Sequence, residues 1–313
     1  MARETLVKVY SRVQPYVHRT PVLTSSLLNK LTRCELYFKC ENFQRMGAFK
    51  MRGATNAVLN LEKEQRQKGV VTHSSGNFAQ ALSLAAKSVG IKAYIIMPTS
   101  APLVKREAVQ SYGGEIILCE PTLEARERKA RQVEIETGAT FIHPSDNLDV
   151  IHGQGTACME LLEDYPDLNI IVTPVGGGGL IAGTALAAHF FGESCQVIGG
   201  EPAVADDAWR SLKSGKIETN TDVPNTIADG LKTNLGHYNF PIIKQYVNDI
   251  VRVEEDEIKK AMRLIWERMK IIVEPSSAVA LAAVLNDQSK FTGKKVGIIL
   301  SGGNVDLGKL PLE

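Results

Sequence analysis

The sequence predicts an α/β protein: a large parallel-sheet domain with a smaller αβ domain inserted into it. Strand-like runs alternate with helical patterns along the chain, the arrangement that lays parallel strands side by side under helices. Four strand-like runs with their helices follow one another between residues 69 and 146, enough for a small sheet of their own. Glycine-rich turns stand at the ends of strands, where open α/β sheets collect ligands. The expected division is 1–68 with 147–313 for the large domain and 69–146 for the small one, with a cleft between them.

In chain order, residues 5–17 predict a helix. A second, over 24–31, opens on Thr24, Ser25 and Ser26, whose hydroxyls suit an N-cap. ELYFKC at 35–40 reads as a strand and 49–61 as an amphipathic helix. The small unit reads as strand 70–73, helix 78–89, strand 93–97, helix 103–111, strand 115–119, charged helix 122–136 and strand 140–143. A helix at 153–162 follows, then a strand at 169–174 running into four glycines, a helix at 180–191 and a strand at 196–198. Residues 209–246 are rich in Gly, Asn and Asp and predict irregular backbone, with a short helix near 242–246. Helices over 255–269 and 276–285 lead to a last strand, 296–300, ending in SGGN.

Composition narrows the function classes. The 313 residues carry 36 basic and 35 acidic side chains, a formal net charge of +1. A nucleic-acid-binding chain usually has a basic excess, and so does a ligand of anionic membranes. The five cysteines (34, 40, 119, 158, 195) are odd in number, scattered and without a CxxC pair. That pattern is neither a disulfide framework nor a zinc site and suits a reducing compartment. The N-terminal stretch has no apolar core of a secretory signal, and no apolar run is long enough to span a bilayer. A cytoplasmic protein is expected.

Four strand-to-helix corners carry the chemistry. In VTPVGGGGLIAG (172–183), successive glycines let backbone N–H groups converge on one point, and the following helix adds its positive end. The result is an anion cup suited to a phosphate. Two other readings stand beside it. Gly177, Gly179 and Ala182 match G-x-G-x-x-A after a strand, with Glu201 22 residues after Gly179, as in a dinucleotide site. A glycine corner used only for close packing is the third.

In FQRMGAFK, Lys50 opens a helix between Phe49 and Met51. An exposed lysine is the bland reading. A helix start and apolar neighbours instead lower an amine's proton affinity, as a Schiff-base lysine requires. In HSSGNFAQ, Ser74, Ser75 and Asn77 set hydroxyls and an amide beside free N–H groups, apt for a carboxylate or for capping alone. VGIILSGGN ends the last strand on Ser301, which would face the same cleft, or close a simple turn.

GAFK, SSGN, GGGG and SGGN, in this order, resemble the fold-type II pyridoxal-phosphate enzymes, the tryptophan-synthase β-like group. Within it the similarity is to the serine racemases and serine/threonine dehydratases, from HRTPVLTSS to SGGNVDLG, with GQGT, TIADGLK, WERMK and VEPSSA between. The resemblance implies that Lys50 carries pyridoxal 5'-phosphate and that Gly176, Gly177, Gly178 and Gly179 hold its phosphate. Asn77 would bond the ring hydroxyl and Ser301 the ring nitrogen, with Phe49 and Gly230 near the ring. Lys50 and Ser75 would be bases on opposite faces, racemising serine with accompanying dehydration to pyruvate. The related dehydratases commonly carry Ala where Ser75 stands.

The resemblance further implies that Ser74, Ser75, Asn77 and Arg126 grip the substrate carboxylate. Glu201, the Ala205 carbonyl and Asp207 would bind a divalent cation (Mg²⁺, Ca²⁺ or Mn²⁺). Gln80, Lys270 and Asn304 match positions that bind ATP as an activator, and a homodimer is implied. Phe78 stands where the family has His. Alternatives are a dehydratase of serine, threonine or 3-hydroxyaspartate, and an aspartate racemase, for which HPSDNLD offers only Ser145. A nicotinamide-binding dehydrogenase or a non-catalytic nucleotide-binding module is the reading from another class.

Overall fold

The computed structural model describes residues 3–308 and 310. The large sheet contains β1 (Val22–Leu23), β2 (Glu35–Cys40), β7 (Ile170–Pro174), β8 (Gln196–Pro202), β9 (Asp249–Val253) and β10 (Lys295–Leu300), in the order β1-β2-β10-β7-β8-β9. Only β1 runs antiparallel to its neighbour. The small sheet is parallel, in the order β5-β4-β3-β6, from β3 (Val70–Thr72), β4 (Ala93–Pro98), β5 (Glu115–Cys119) and β6 (Thr140–Phe141).

The helices are α1 (Arg3–Val13), α2 (Ser26–Thr32), α3 (Lys50–Leu59), α4 (Lys63–Lys68), α5 (Asn77–Ser88), α6 (Leu103–Ser111), α7 (Leu123–Thr137), α8 (Leu148–Asp164), α9 (Gly179–Phe191), α10 (Asp207–Ser214), α11 (Asn239–Tyr246), α12 (Glu255–Leu264), α13 (Pro275–Asn286) and α14 (Gln288–Phe291). Among the described residues, no helix is long and apolar enough to cross a membrane. All five cysteines are free thiols.

Strand register assembles the site. Leu300 pairs with Cys40, so β2 and β10 end side by side. Beyond them, Phe49 N–H donates to the Ser301 carbonyl at 3.0 Å, and Ala48 bridges Gly302. Lys50 therefore starts α3 at the carboxyl edge of the large sheet. Pairing of β3 with β6 brings the segments after them, 73–77 and 143–146, together, with the His73 and His143 ring centres 5.6 Å apart.

Helix α3 contributes Met51, Ala54, Ala57 and Val58 to the same core as Val70, Phe78, Leu82 and Ile95 of the small sheet and its helix. Its other side meets α8 at backbone range. A Cβ on Gly153 would stand 2.6 Å from the Gly53 Cα, and one on Gly155 2.6 Å from the Gly183 carbonyl oxygen of α9. Helix α13 is buried all round beneath the large sheet, as its apolar sequence demands.

Behind the start of α3 lies a buried ionic cluster. Arg52 reaches Glu41 at 2.8 Å and Glu160 at 2.7 Å, and Lys39 reaches Glu160 at 2.7 Å. Thr20 adds its hydroxyl to Glu41 and its carbonyl to Lys39. Burial would raise the Glu41 carboxyl, but Arg52 outweighs it and holds it below its ordinary range. Two cations and two carboxylates leave the cluster neutral.

Several expected bounds shift. The first helix stops at Val13 and continues as a 3₁₀ turn, Gln14–Tyr16, because Pro15 has no N–H to donate. The helix expected from 153 begins at Leu148, capped by Asn147, whose side chain accepts Val150 N–H at 3.1 Å. Its glycines serve close packing inside the helix, not its start. The strand expected at 196–198 runs to Pro202, and that expected at 140–143 stops at Phe141. The region taken as irregular holds α10 as well as α11. Strands β1 and β9 and helices α4 and α14 were not expected. The helix expected over 255–269 changes at Ile265 to a π-helical turn, Ile265–Met269, ended by Lys270 in the left-handed region.

Candidate active site

Lys50 is partly buried. Its Nζ donates to the Pro144 carbonyl at 2.7 Å, 5.2 Å from the ring centre of Phe49 and 5.5 Å from that of Phe78. Burial lowers the amine to about 8, against a partial upward pull from Glu274. Phe78 thus supplies an apolar wall where an imidazole would have been a polar one.

The four glycines follow β7 and lead into α9. Gly178 has φ +81° and caps the helix. A Cβ on Gly177 would stand 2.4 Å from Ser145 Oγ, so the turn has no room for a side chain. The first N–H groups of α9 have no intrahelical partner, which leaves donors for an anion. Gly230 comes up beside the turn: its N–H donates to Ser276 Oγ at 3.0 Å, and its carbonyl lies against Gly176. Ser145, the lone serine of HPSDNLD, is buried against Gly177 and Gly179.

Asn77 is the first residue of α5. Its amide donates to both oxygens of Glu274, at 2.9 and 3.1 Å, and its oxygen accepts from Asn304 Nδ2 at 2.9 Å. Asn304 also donates to the Met46 carbonyl at 2.9 Å. Glu274 is buried at the start of α13. Burial and then Asp229 raise its carboxyl to about 7. Ser74 Oγ accepts the Gly76 N–H at 3.4 Å, and Ser75 is partly exposed in the same turn. Ser301 is buried beside Phe49.

His143 accepts N–H groups of Ser145 and Asp146 on Nδ1, at 3.2 and 2.8 Å. Burial, then His73, lowers it to about 4, so it stays a neutral ring at neutral pH. Arg126 lies on α7; its Nε donates to the Thr122 carbonyl at 3.4 Å, and its charge reaches His73.

Glu201, at the end of β8, accepts the Ala208 and Trp209 N–H groups at 3.0 and 2.8 Å. Asp207 accepts from Asn220 Nδ2 at 2.8 Å and Leu235 N–H at 3.2 Å. Burial, then Asp207, raises Glu201 well above the carboxylate range, and burial raises Asp207 to about 6. Ala205 is buried in the turn between them. Among the described residues, no three His, Cys, Asp or Glu side chains cluster as a metal site, so a cation here would need backbone oxygen as well. Gln80 is buried in α5, one turn after Asn77, while Lys270 is exposed.

The motifs had not singled out Glu274, the Pro144 carbonyl, Asp146 or Asn239. The signal for Glu274 was an acid between Val273 and Pro275, directly before a helix apolar on all sides. Glu201, the acid of the dinucleotide reading, is turned to the N–H groups of the 208–209 turn.

Residues 13–302 match the family described as "Pyridoxal-phosphate dependent enzyme". A serine racemase of Dictyostelium discoideum is 52% identical over 99% of this chain and 98% of its own length. A beta-hydroxyaspartate dehydratase of Paracoccus denitrificans is 48% identical over 98% of both chains. The structure of maize serine racemase superposes with a TM-score of 0.95 at 46% identity, covering 97% of this chain and 94% of that one. With a partly buried lysine at a helix start, a glycine turn without room for side chains, and this extent of similarity, the chain belongs to the pyridoxal-phosphate-dependent enzymes.

Proposed function

We propose that this protein interconverts L- and D-serine on bound pyridoxal phosphate, and in a side reaction eliminates water from serine, giving pyruvate and ammonia. The observation that carries the reading is the Lys50 amine, 5.2 and 5.5 Å from the ring centres of Phe49 and Phe78, with its proton affinity brought down to about 8 by burial. The residues present fit the cofactor. Lys50 would carry it, Gly176–Gly179 would hold its phosphate, and Asn77 and Ser301 would meet the ring hydroxyl and ring nitrogen. Phe49 and Gly230 would flank the ring.

The cofactor, when bound, supplies an electron-withdrawing ring that acidifies the α-hydrogen of an attached amino acid. An amine that titrates near 8 works as base and as acid at neutral pH. Lys50 takes or returns the α-proton on one face and the Ser75 hydroxyl serves the other, so exchange between them inverts the centre. Ser74, Ser75, Asn77 and Arg126 bind the substrate carboxylate. Ser301, a neutral hydroxyl, would leave the nitrogen of a bound ring largely unprotonated. Glu274 holds the Asn77 amide in one orientation.

Glu201, the Ala205 carbonyl and Asp207 would hold a divalent cation. Both carboxylates accept from neutral donors, and the Asp207 charge raises the proton affinity of Glu201, a deficit of positive charge that Mg²⁺, Ca²⁺ or Mn²⁺ would fill. Gln80, Lys270 and Asn304 would take ATP as an activator, and a homodimer would be the working form. The division into 1–68 with 147–313 and 69–146 belongs to the same reading.

Incubation with L-serine, followed by chiral amino-acid analysis and a keto-acid assay, tests the proposal. D-serine with some pyruvate is expected; pyruvate without D-serine would sink the racemase reading. The second reading, dehydration of 3-hydroxyaspartate, is favoured by the Paracoccus relative. It predicts oxaloacetate from 3-hydroxyaspartate far faster than any product from serine. Borohydride reduction should fix the pyridoxyl group on Lys50.

A further inference from the structure

We infer that Asp146 and Asn239 are positioning residues for the glycine turn: they fix the 177–178 peptide so that its N–H faces the phosphate cup. This role presupposes the cup proposed above.

Asp146 lies two residues beyond Pro144, whose carbonyl receives Lys50. Its carboxylate accepts three consecutive backbone N–H groups from a distant part of the chain. Oδ2 takes His237 at 2.9 Å, and Oδ1 takes Tyr238 at 2.8 Å and Asn239 at 3.1 Å. Those donors stand at the start of α11, where N–H groups lack intrahelical partners and an anion is favoured. The carboxylate sits where a side chain on residue 236 would begin: a Cβ on Gly236 would stand 2.0 Å from the Asp146 Cγ. Glycine at 236 and aspartate at 146 therefore form one arrangement.

Asn239, so placed, is fully buried. Its Oδ1 accepts the Gly236 N–H at 3.0 Å, which fixes the amide with its nitrogen on the other side. That Nδ2 donates to the Gly177 carbonyl at 2.8 Å and to the Ser145 carbonyl at 3.4 Å. A trans peptide is planar, with its carbonyl and N–H pointing in opposite directions. Holding the Gly177 carbonyl on Asn239 thus turns the Gly178 N–H the other way.

Gly178, at φ +81°, is a residue for which either sign of φ is easy. Without the clamp this peptide can turn over, and a carbonyl oxygen would then replace a donor in the cup. The loss would fall on the phosphate and not on the aldehyde end of the cofactor.

The test compares ligands with and without a phosphate. Apo-protein is titrated with pyridoxal 5'-phosphate and with pyridoxal, read by visible absorbance, and its folding is followed by thermal unfolding. Asp146→Ala and Gly236→Ala should each weaken pyridoxal phosphate about tenfold while leaving pyridoxal within about twofold. The ³¹P resonance of the bound cofactor should shift in both. Asp146→Asn keeps the two bonds at Oδ1 and loses the one at Oδ2, so an intermediate loss of about threefold is expected; it decides the matter if Asp146→Ala does not fold.

Equal weakening of both ligands, or unchanged phosphate-ligand affinity in a folded variant, would overturn the assignment. Failure of both Asp146 variants to fold would place Asp146 in the fold and overturn it too. If wild-type apo-protein bound pyridoxal as tightly as its phosphate, the cup itself would be refuted, and this role with it.

Discussion

A protonated Lys50 cannot attack an aldehyde, so attachment of the cofactor should follow the neutral amine. With a proton affinity near 8, about one-tenth of the apo-protein is neutral at pH 7. The attachment rate, followed by visible absorbance, should rise through pH 8 and level off above 9; a midpoint near 10.5 would contradict the burial argument. Glu274 pulls that midpoint upward, so Glu274→Gln should move it below 8 while keeping an acceptor for Asn77. Lys50→Ala should abolish all turnover. Ser75→Ala should lose at least about a hundredfold in racemisation while sparing elimination from L-serine; equal loss of both would refute the two-base assignment. The helix start at Lys50 and its apolar neighbours Phe49 and Met51 were legible, because both are sequence features. Glu274 was not, since its burial and its bond to Asn77 depend on a contact 197 residues away.

Among the elements, the α3–α8–α9 crossing leaves no room for added volume. Gly153→Ala gains helix propensity of about 1 kcal/mol but places a methyl against backbone, at about 1–3 kcal/mol of overpacking. A lower thermal midpoint is expected, and an unchanged or higher one would show that α3 and α8 can separate freely. The sequence misreads this crossing, because mid-helix glycines look like a helix boundary until the neighbouring backbone is known. Strands 35–40, 93–97 and 115–119 were legible from their β-branched and aromatic runs. Strand β9 was not: it is the sheet's edge, begins on Asp249 and exposes Arg252. Helix α10 is amphipathic but only eight residues long and sits amid turn-forming residues, too short a run for its period to stand out in the sequence.

Over the whole molecule, the order of the large sheet was beyond sequence reasoning. The last strand, β10, lies between β2 and β7, which brings Ser301 to Phe49 and Lys50. The alternation of strands and helices announces a parallel sheet but not this insertion. Across the site, Lys105 of α6 reaches Asp229 at 2.5 Å, tying the small-sheet side to the segment holding Gly230. Both groups are substantially exposed, so salt screens the pair and its contribution is modest. Removing divalent cations should lower both thermal midpoint and activity, with recovery on adding Mg²⁺, Ca²⁺ or Mn²⁺; indifference of both would exclude a cation at Glu201 and Asp207.

The neutral quartet of Lys39, Glu41, Arg52 and Glu160 constrains how this chain can change. Replacing one member strands a buried charge, at about 3–5 kcal/mol, a large share of a domain's stability. Replacing a matched pair does not. A library mutated one codon at a time will read these four positions as immovable, whereas paired diversification will find them open to exchange.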